Sequence, residues 1–289
     1  MYQLENDRLQ IRIDAKGAEL KSVYSKPFAL EYMWGADPAY WAKTSPVLFP
    51  IVGALKENTY QFEGQQYQLS RHGFARDKVF NVTAQSANSL TFSIESDEES
   101  LALYPFPFTF SIIYTLSGDE LTVGYRVQNN GEAPMFFSVG GHPAFKLPLV
   151  EGTRYEDYQL LFEKEETAGR WPISKDGLIE KTPRPLLQQT RALPLTKELF
   201  SKDAVVLKHL QSNWVQLQSD KTPHGWRFSF PHFPFLGLWA APGADFVCIE
   251  PWCGIADSVD SNKQLPDKEG IVRLSSNEDF NVQWRVQFY

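Results

Sequence analysis

Apolar and polar residues alternate with a period of two along almost the whole chain, in short runs broken by turn residues. Leu9, Ile11 and Ile13 are separated by polar residues; Asp14-Ala15-Lys16-Gly17 then offers a turn, and residues 20–24 a returning strand. A pleated strand places every second side chain on one face, so each run predicts a strand with one buried side. Residues 60–62 and 67–69 flank Glu63-Gly64 as a hairpin. Residues 79–83 pair with 90–94, and 108–116 with 121–127 across Ser117-Gly118-Asp119-Glu120. Residues 228–230, 236–240, 246–249 and 280–288 complete the strands. Helical candidates are short: 38–43, 98–103 and 194–200. Residues 163–195 hold Pro172, Pro183, Pro185 and Pro194 among several charges, and are expected to form long loops over one rim. Many short strands with turn signals between them predict an all-β fold, a large two-sheet antiparallel sandwich with a few short helices. No linker divides the chain, so one domain over residues 1–289 is expected.

Composition narrows the function. A net charge of −7 leaves no basic surplus to neutralise nucleic-acid phosphates. No apolar run approaches a membrane span, and the first residues read as a folded strand, not a signal peptide. Cys248 and Cys253 lie too close in sequence to staple distant parts, and no histidine stands near them at zinc-site spacing. Reduced thiols in a cytoplasmic protein are the expectation. The chain carries 8 Trp and 21 Phe, enough to fill a core and leave some rings for stacking on a sugar.

Three strings carry titratable groups suited to chemistry: Arg71-His72-Gly73-Phe74-Ala75-Arg76, Gly140-Gly141-His142-Pro143-Ala144-Phe145 and Cys248-Ile249-Glu250-Pro251-Trp252. In the first, glycine beside His72 permits a tight turn or the close approach of a ligand. In the second, two glycines re-aim the backbone and Pro143 fixes the exit, displaying one imidazole. In the third, Glu250 ends an apolar strand and Pro251 is expected to stop the ladder. A carboxylate placed there needs a partner, because desolvating it is costly. Each residue has a plainer account: His72 as an ordinary hydrogen-bonding turn residue, Glu250 or Arg76 in a structural ion pair, Asp203 as a loop or N-cap aspartate. No closely spaced histidine pair, phosphate-binding glycine loop or Gly-x-Ser-x-Gly elbow occurs, so no metal or nucleotide cofactor is expected. Two imidazoles and one carboxylate on a rigid β scaffold suffice for proton transfer on a sugar.

Taken in order, these strings resemble the aldose 1-epimerase (galactose mutarotase-like) family, in particular its LacX-like bacterial branch, related to the glucose-6-phosphate 1-epimerases. The resemblance begins at residues 9–13 with Gly17-Ala18-Glu19-Leu20 and continues through residues 34–41 and the segment from Ser45 to Gly53. It takes in both histidine strings and ends at Trp252. It implies a two-sheet β-sandwich that exchanges α and β anomers by acid/base ring opening without a cofactor. By position, Glu250 would be the base, His142 the acid and His72 a second histidine near the ring oxygen. Asp203 would bind sugar hydroxyls, and Arg76 resembles an arginine that contacts phosphate in the sugar-phosphate branch; Trp252, beside the base, is a further candidate for binding the substrate. Relatives commonly carry arginine after the Ile-Val-Gly segment, where this chain has Ala54; Lys56 is the candidate to replace it. Raising Glu250 from about 4.3 toward the value of about 6.5 of His142 would match base to acid. Two other readings stay open: a sugar-binding protein without catalysis, and a metal-dependent isomerase using His72, His142 and a carboxylate. The sugar itself is not readable among galactose, glucose, a tagatose-pathway sugar and a hexose 6-phosphate, nor is the oligomeric state.

Overall fold

The computed structural model describes residues 1–289. Two antiparallel sheets face each other, and the core lies between them. The larger has nine strands in the order Arg184–Pro194, Tyr158–Arg170, Trp214–Ser219, Thr222–Ser229, Asp279–Phe288, Glu120–Asn129, Phe108–Ser117, Ser89–Glu95 and Asn81–Gln85. The smaller has the path Val205–Lys208, Phe235–Trp239, Phe246–Cys253, Val139–Gly141 and Val47–Leu48, with Ala144–Lys146 also pairing with Phe246–Cys253. A four-stranded sheet of residues 2–31 closes one side. The fold is therefore an all-β sandwich. Phe145 from the smaller sheet meets Trp226 of the larger at 4.5 Å between ring centres, and Phe49 stacks on Phe110 at 4.4 Å. No helix is long and apolar enough to cross a membrane.

Alternation produces the strands as expected at Leu9–Ile13, Leu20–Ser25, Phe108–Ser117 and Glu120–Asn129, the last with strict in-and-out burial. Glu63 and Gly64 both take positive φ, as the two-residue hairpin between Thr59–Phe62 and Gln65–Gln68 requires. The strand expected at 79–83 runs instead from Asn81 to Gln85. Glu98–Leu103 is the one α-helix, capped by Asp97, while Lys197–Phe200 is a 3-10 turn and 38–43 holds turns only.

Two expectations are corrected. Residues 163–195 are not loops over a rim: most belong to Tyr158–Arg170 and Arg184–Pro194, a long pair at the edge of the larger sheet. Bulges within the pair and its edge position accommodate Pro185 and Pro194. Nor does Pro251 end its strand, which continues to Cys253 with all eight residues buried. The reason lies in the partner. Residues 144–146 pair with 246–248, and residues 139–140 with 252–253, leaving a break opposite 249–251. Ile249 N–H donates to Pro143 O on that edge. The nitrogen of Pro251, two residues on, faces the same break and has no ladder bond to lose.

Candidate active site

That break is what brings the acid and base candidates together. His142 occupies it, and Glu250 lies across from it on the unbroken strand; His142 Nε2 stands 3.3 Å from Glu250 Oε2. The two glycines before His142 serve packing more than turning. A side chain at Gly140 would meet the Trp252 ring at 2.6 Å, and one at Gly141 would meet the Tyr125 hydroxyl of the facing sheet at 2.7 Å. The smaller sheet can therefore approach both Trp252 and the larger sheet closely at this point.

His72 arrives by a separate route. Its backbone takes φ = 69°, a conformation uncommon for a residue with Cβ, and its N–H donates to Gly53 O. Gly53 N–H in turn donates to His72 Nδ1 at 3.1 Å, so the neutral ring carries its proton on Nε2. The two imidazoles meet edge to face at 5.9 Å. Trp41 stacks on His142 at 5.0 Å, and Trp239, itself edge-on to Trp41 at 5.3 Å, meets the imidazole edge on at 5.6 Å.

These groups line a cavity of about 530 Å³ together with Arg71, Arg76, Asp203 and Trp252. That volume is within the range of small-molecule sites. Asp203 also has positive φ, 83°, and its Oδ1 accepts from Ala204 N–H at 2.7 Å. The Arg170 guanidinium holds this loop from behind, donating to the carbonyl oxygens of Leu199, Asp203 and Ala204. Arg76 Nη2 donates to Arg71 O at 2.8 Å. The Arg71 head lies against Gly177 and Ala54; a side chain at Gly177 would overlap it.

Burial dominates the electrostatics. It pushes the Glu250 carboxyl well above its ordinary value; the charge of Asp203 adds to this, and the Trp252 indole N–H works against it. Burial also pushes His142 down to about 3. His72 falls well below its ordinary value, first through burial and then through His142, Arg76 and Arg71. Glu250 moves in the direction anticipated, but His142 does not stay near 6.5. The pair holds one proton between two buried groups, and desolvation favours the uncharged arrangement.

Of the residues singled out from sequence, His142, Glu250, His72, Arg76, Asp203 and Trp252 share this cavity. Lys56 does not line it. Its ammonium donates to Ser261 O at 3.3 Å, and its backbone N–H to Asp257 Oδ2 at 2.9 Å. Near Ala54 the guanidinium group present is that of Arg71, since both residues lie beside Gly177. Sequence reasoning missed Arg71, although it adjoins His72, and it missed Trp41 and Trp239 as walls around His142, which look like core aromatics in one dimension.

A sandwich with an imidazole–carboxylate pair and aromatic walls in one cleft is an architecture of the galactose mutarotase-like class. The aldose 1-epimerase family model matches residues 1–266, and the chain belongs to that family. It is similar to Protein LacX, plasmid, of Lactococcus lactis subsp. lactis, with 36% identity over 281 residues and 94% of each chain covered. Galactose mutarotase of Sus scrofa is 25% identical over 181 residues, covering 57% of this chain and 52% of that one. Among solved structures, the galactose mutarotase related enzyme from Lactobacillus acidophilus superposes with TM-score 0.94 at 35% identity, over 100% of this chain and 97% of that one.

Proposed function

We propose that this protein is an aldose 1-epimerase that interconverts the α and β anomers of a hexose or hexose phosphate, with Glu250 and His142 as the reacting pair. The observation that carries the reading is the 3.3 Å approach of His142 Nε2 to Glu250 Oε2 beneath an open cavity. The anomeric hydroxyl oxygen and the ring oxygen are both bonded to C1. A base for one and an acid for the other must therefore converge on a single carbon, and two groups in contact do so.

The proton balance closes without a cofactor. Moving the pair's one proton from the carboxyl to the imidazole creates a carboxylate base and an imidazolium acid together, with no change in total charge. Glu250 takes the proton of the C1 hydroxyl as His142 protonates the ring oxygen; the bond from C1 to the ring oxygen breaks as the aldehyde forms. Rotation about C1–C2 turns the other face, and the steps reverse to close the ring. Each positioned group typically contributes about 10²- to 10⁴-fold. His72, neutral with its proton on Nε2, serves as a donor to a sugar oxygen. Asp203 accepts from hydroxyls, and the tryptophan walls suit the apolar face of a pyranose. Arg71 and Arg76 bring two guanidinium groups to the same cavity, and Arg71 forms no ion pair, which favours a substrate with an anionic substituent.

The test is Glu250→Gln. Anomer exchange followed by polarimetry falls by at least about 10²-fold, while sugar binding, followed by tryptophan fluorescence, persists. A variant that still exchanges anomers rapidly places the base elsewhere.

A further inference from the structure

Cys248 precedes Glu250 by two residues on one strand, so the two side chains share a face. The reaction above makes no use of its thiol. An imidazole nitrogen of His142, the Cys248 sulfur and a carboxylate oxygen of Glu250 all lie within 4.8 Å of one another, and all three residues are buried. We propose that these three side chains form a binding site for a thiophilic divalent cation of the zinc or cadmium kind, and that the cation blocks the cleft by occupying the reacting pair.

The donor set is one nitrogen, one sulfur and one oxygen, which borderline and soft cations accept and magnesium or calcium do not. On binding, the thiol and the carboxyl each release a proton to solvent. The resulting two negative charges neutralise the dication, so the buried complex carries no net charge. Bonds to zinc run about 2.0–2.3 Å. His142 Nε2 and Glu250 Oε2, at 3.3 Å, already suit one edge of a tetrahedron. The sulfur lies within 4.8 Å of both other donors, so it has to close by no more than about an ångström, a distance side-chain rotation covers. His142 Nδ1 makes no hydrogen bond, so the ring turns toward the sulfur without breaking one. The cavity reaches His142 and Glu250 and supplies the entry path from their side, while Cys248 is fully buried and does not line it.

Binding stands on the donor geometry alone; inhibition rests on the functional reading above. The purified, reduced full-length protein is titrated with cadmium in chelator-free buffer, following the ultraviolet thiolate-to-cadmium charge-transfer absorption. The band is expected to saturate at one equivalent, to vanish in Cys248→Ser and to persist in Cys253→Ser, whose thiol lies outside the trio. His142→Asn is expected to weaken binding by at least about tenfold, the loss that removing even an outer-shell partner brings. No saturable band in the unmodified protein, or a band that survives Cys248→Ser, overturns the site. In the exchange assay, zinc is expected to stop the reaction and a chelator to restore it. Saturation of the band with undiminished exchange supports the site and overturns the assignment of His142 and Glu250 as the reacting pair.

Discussion

At the scale of single residues, burial moves the central groups in opposite directions, and this has a thermodynamic signature. His72 and His142 stay neutral far below 6.5 in the folded chain, so the stability they confer is present above that pH and lost as pH falls. Glu250 has a raised value, so its contribution is complete below about 4.3 and lost as pH rises through the folded value. Between pH 6 and 4.5 unfolding takes up protons at two histidines and releases one from Glu250. Glu250→Gln removes the release, so its stability should fall more steeply on acidification than that of the unmodified protein, by about 1.4 kcal/mol per pH unit. Urea denaturation across this range measures the slope; equal slopes would mean that Glu250 is ionised in the folded protein. The residue types of the centre were legible, because a histidine beside glycine and a carboxylate in an apolar run are conspicuous. Arg71 was not: in one dimension an arginine beside a histidine is only a charged neighbour, and its place against Gly177 and Ala54 depends on contacts across the fold.

At the scale of elements, the strand Phe246–Cys253 and its interrupted partner build the site. Gly140 lies on one side of this strand and Gly237 on the other, paired with Trp252 and Glu250 respectively. A side chain at Gly237 would run into the six-membered ring of Trp252. Gly237→Ala is therefore expected to cost about 1–3 kcal/mol through overpacking and to displace the indole from the cavity wall. Thermal denaturation and fluorescence-detected sugar binding check this; a variant of full stability and affinity would contradict it. Alternation identified strands such as Phe108–Ser117 because one face of each meets the core and the other faces outward. It failed at residues 163–195, where bulges interrupt the period and edge positions admit proline. It also failed at Pro251, because whether a proline ends a strand depends on which edge its nitrogen faces, and that is set by the neighbouring strand.

At the scale of the whole molecule, the cleft is assembled from segments far apart in the chain and tied together behind its walls. Asp257 makes the central tie. Its N–H donates to Ala54 O, its carbonyl accepts from Ile179 N–H, and its carboxylate accepts from Lys56 N–H and pairs with Lys268 Nζ at 2.8 Å. The Lys268 and Asp257 side chains are only 3% and 4% exposed, so the pair is fully withdrawn from water. Lys268→Met leaves the carboxylate buried without its counter-charge and is expected to cost about 3–5 kcal/mol. Adding Asp257→Asn should recover more than half of that loss, since Asn still accepts from Lys56 N–H and carries no charge. Denaturation of the two variants decides; a double variant as unstable as the single one would show that the charge is not the cause. Such ties have no local signature, which is why a sandwich could be inferred from periodicity while the convergence of residues 72, 142, 203 and 250 rested on family resemblance.

The central claim is that a buried imidazole and carboxyl in contact exchange protons with the two oxygens of an anomeric carbon. The most direct measurement is exchange NMR at the anomeric proton, run on equilibrated hexoses and hexose 6-phosphates with a catalytic amount of protein. Cross-peaks linking the α and β signals of at least one of these sugars, well above the buffer rate and absent with Glu250→Gln, are the predicted result. Exchange no faster than buffer for every sugar, including one shown to bind in the cleft, would contradict the account and leave a carbohydrate-binding protein in its place.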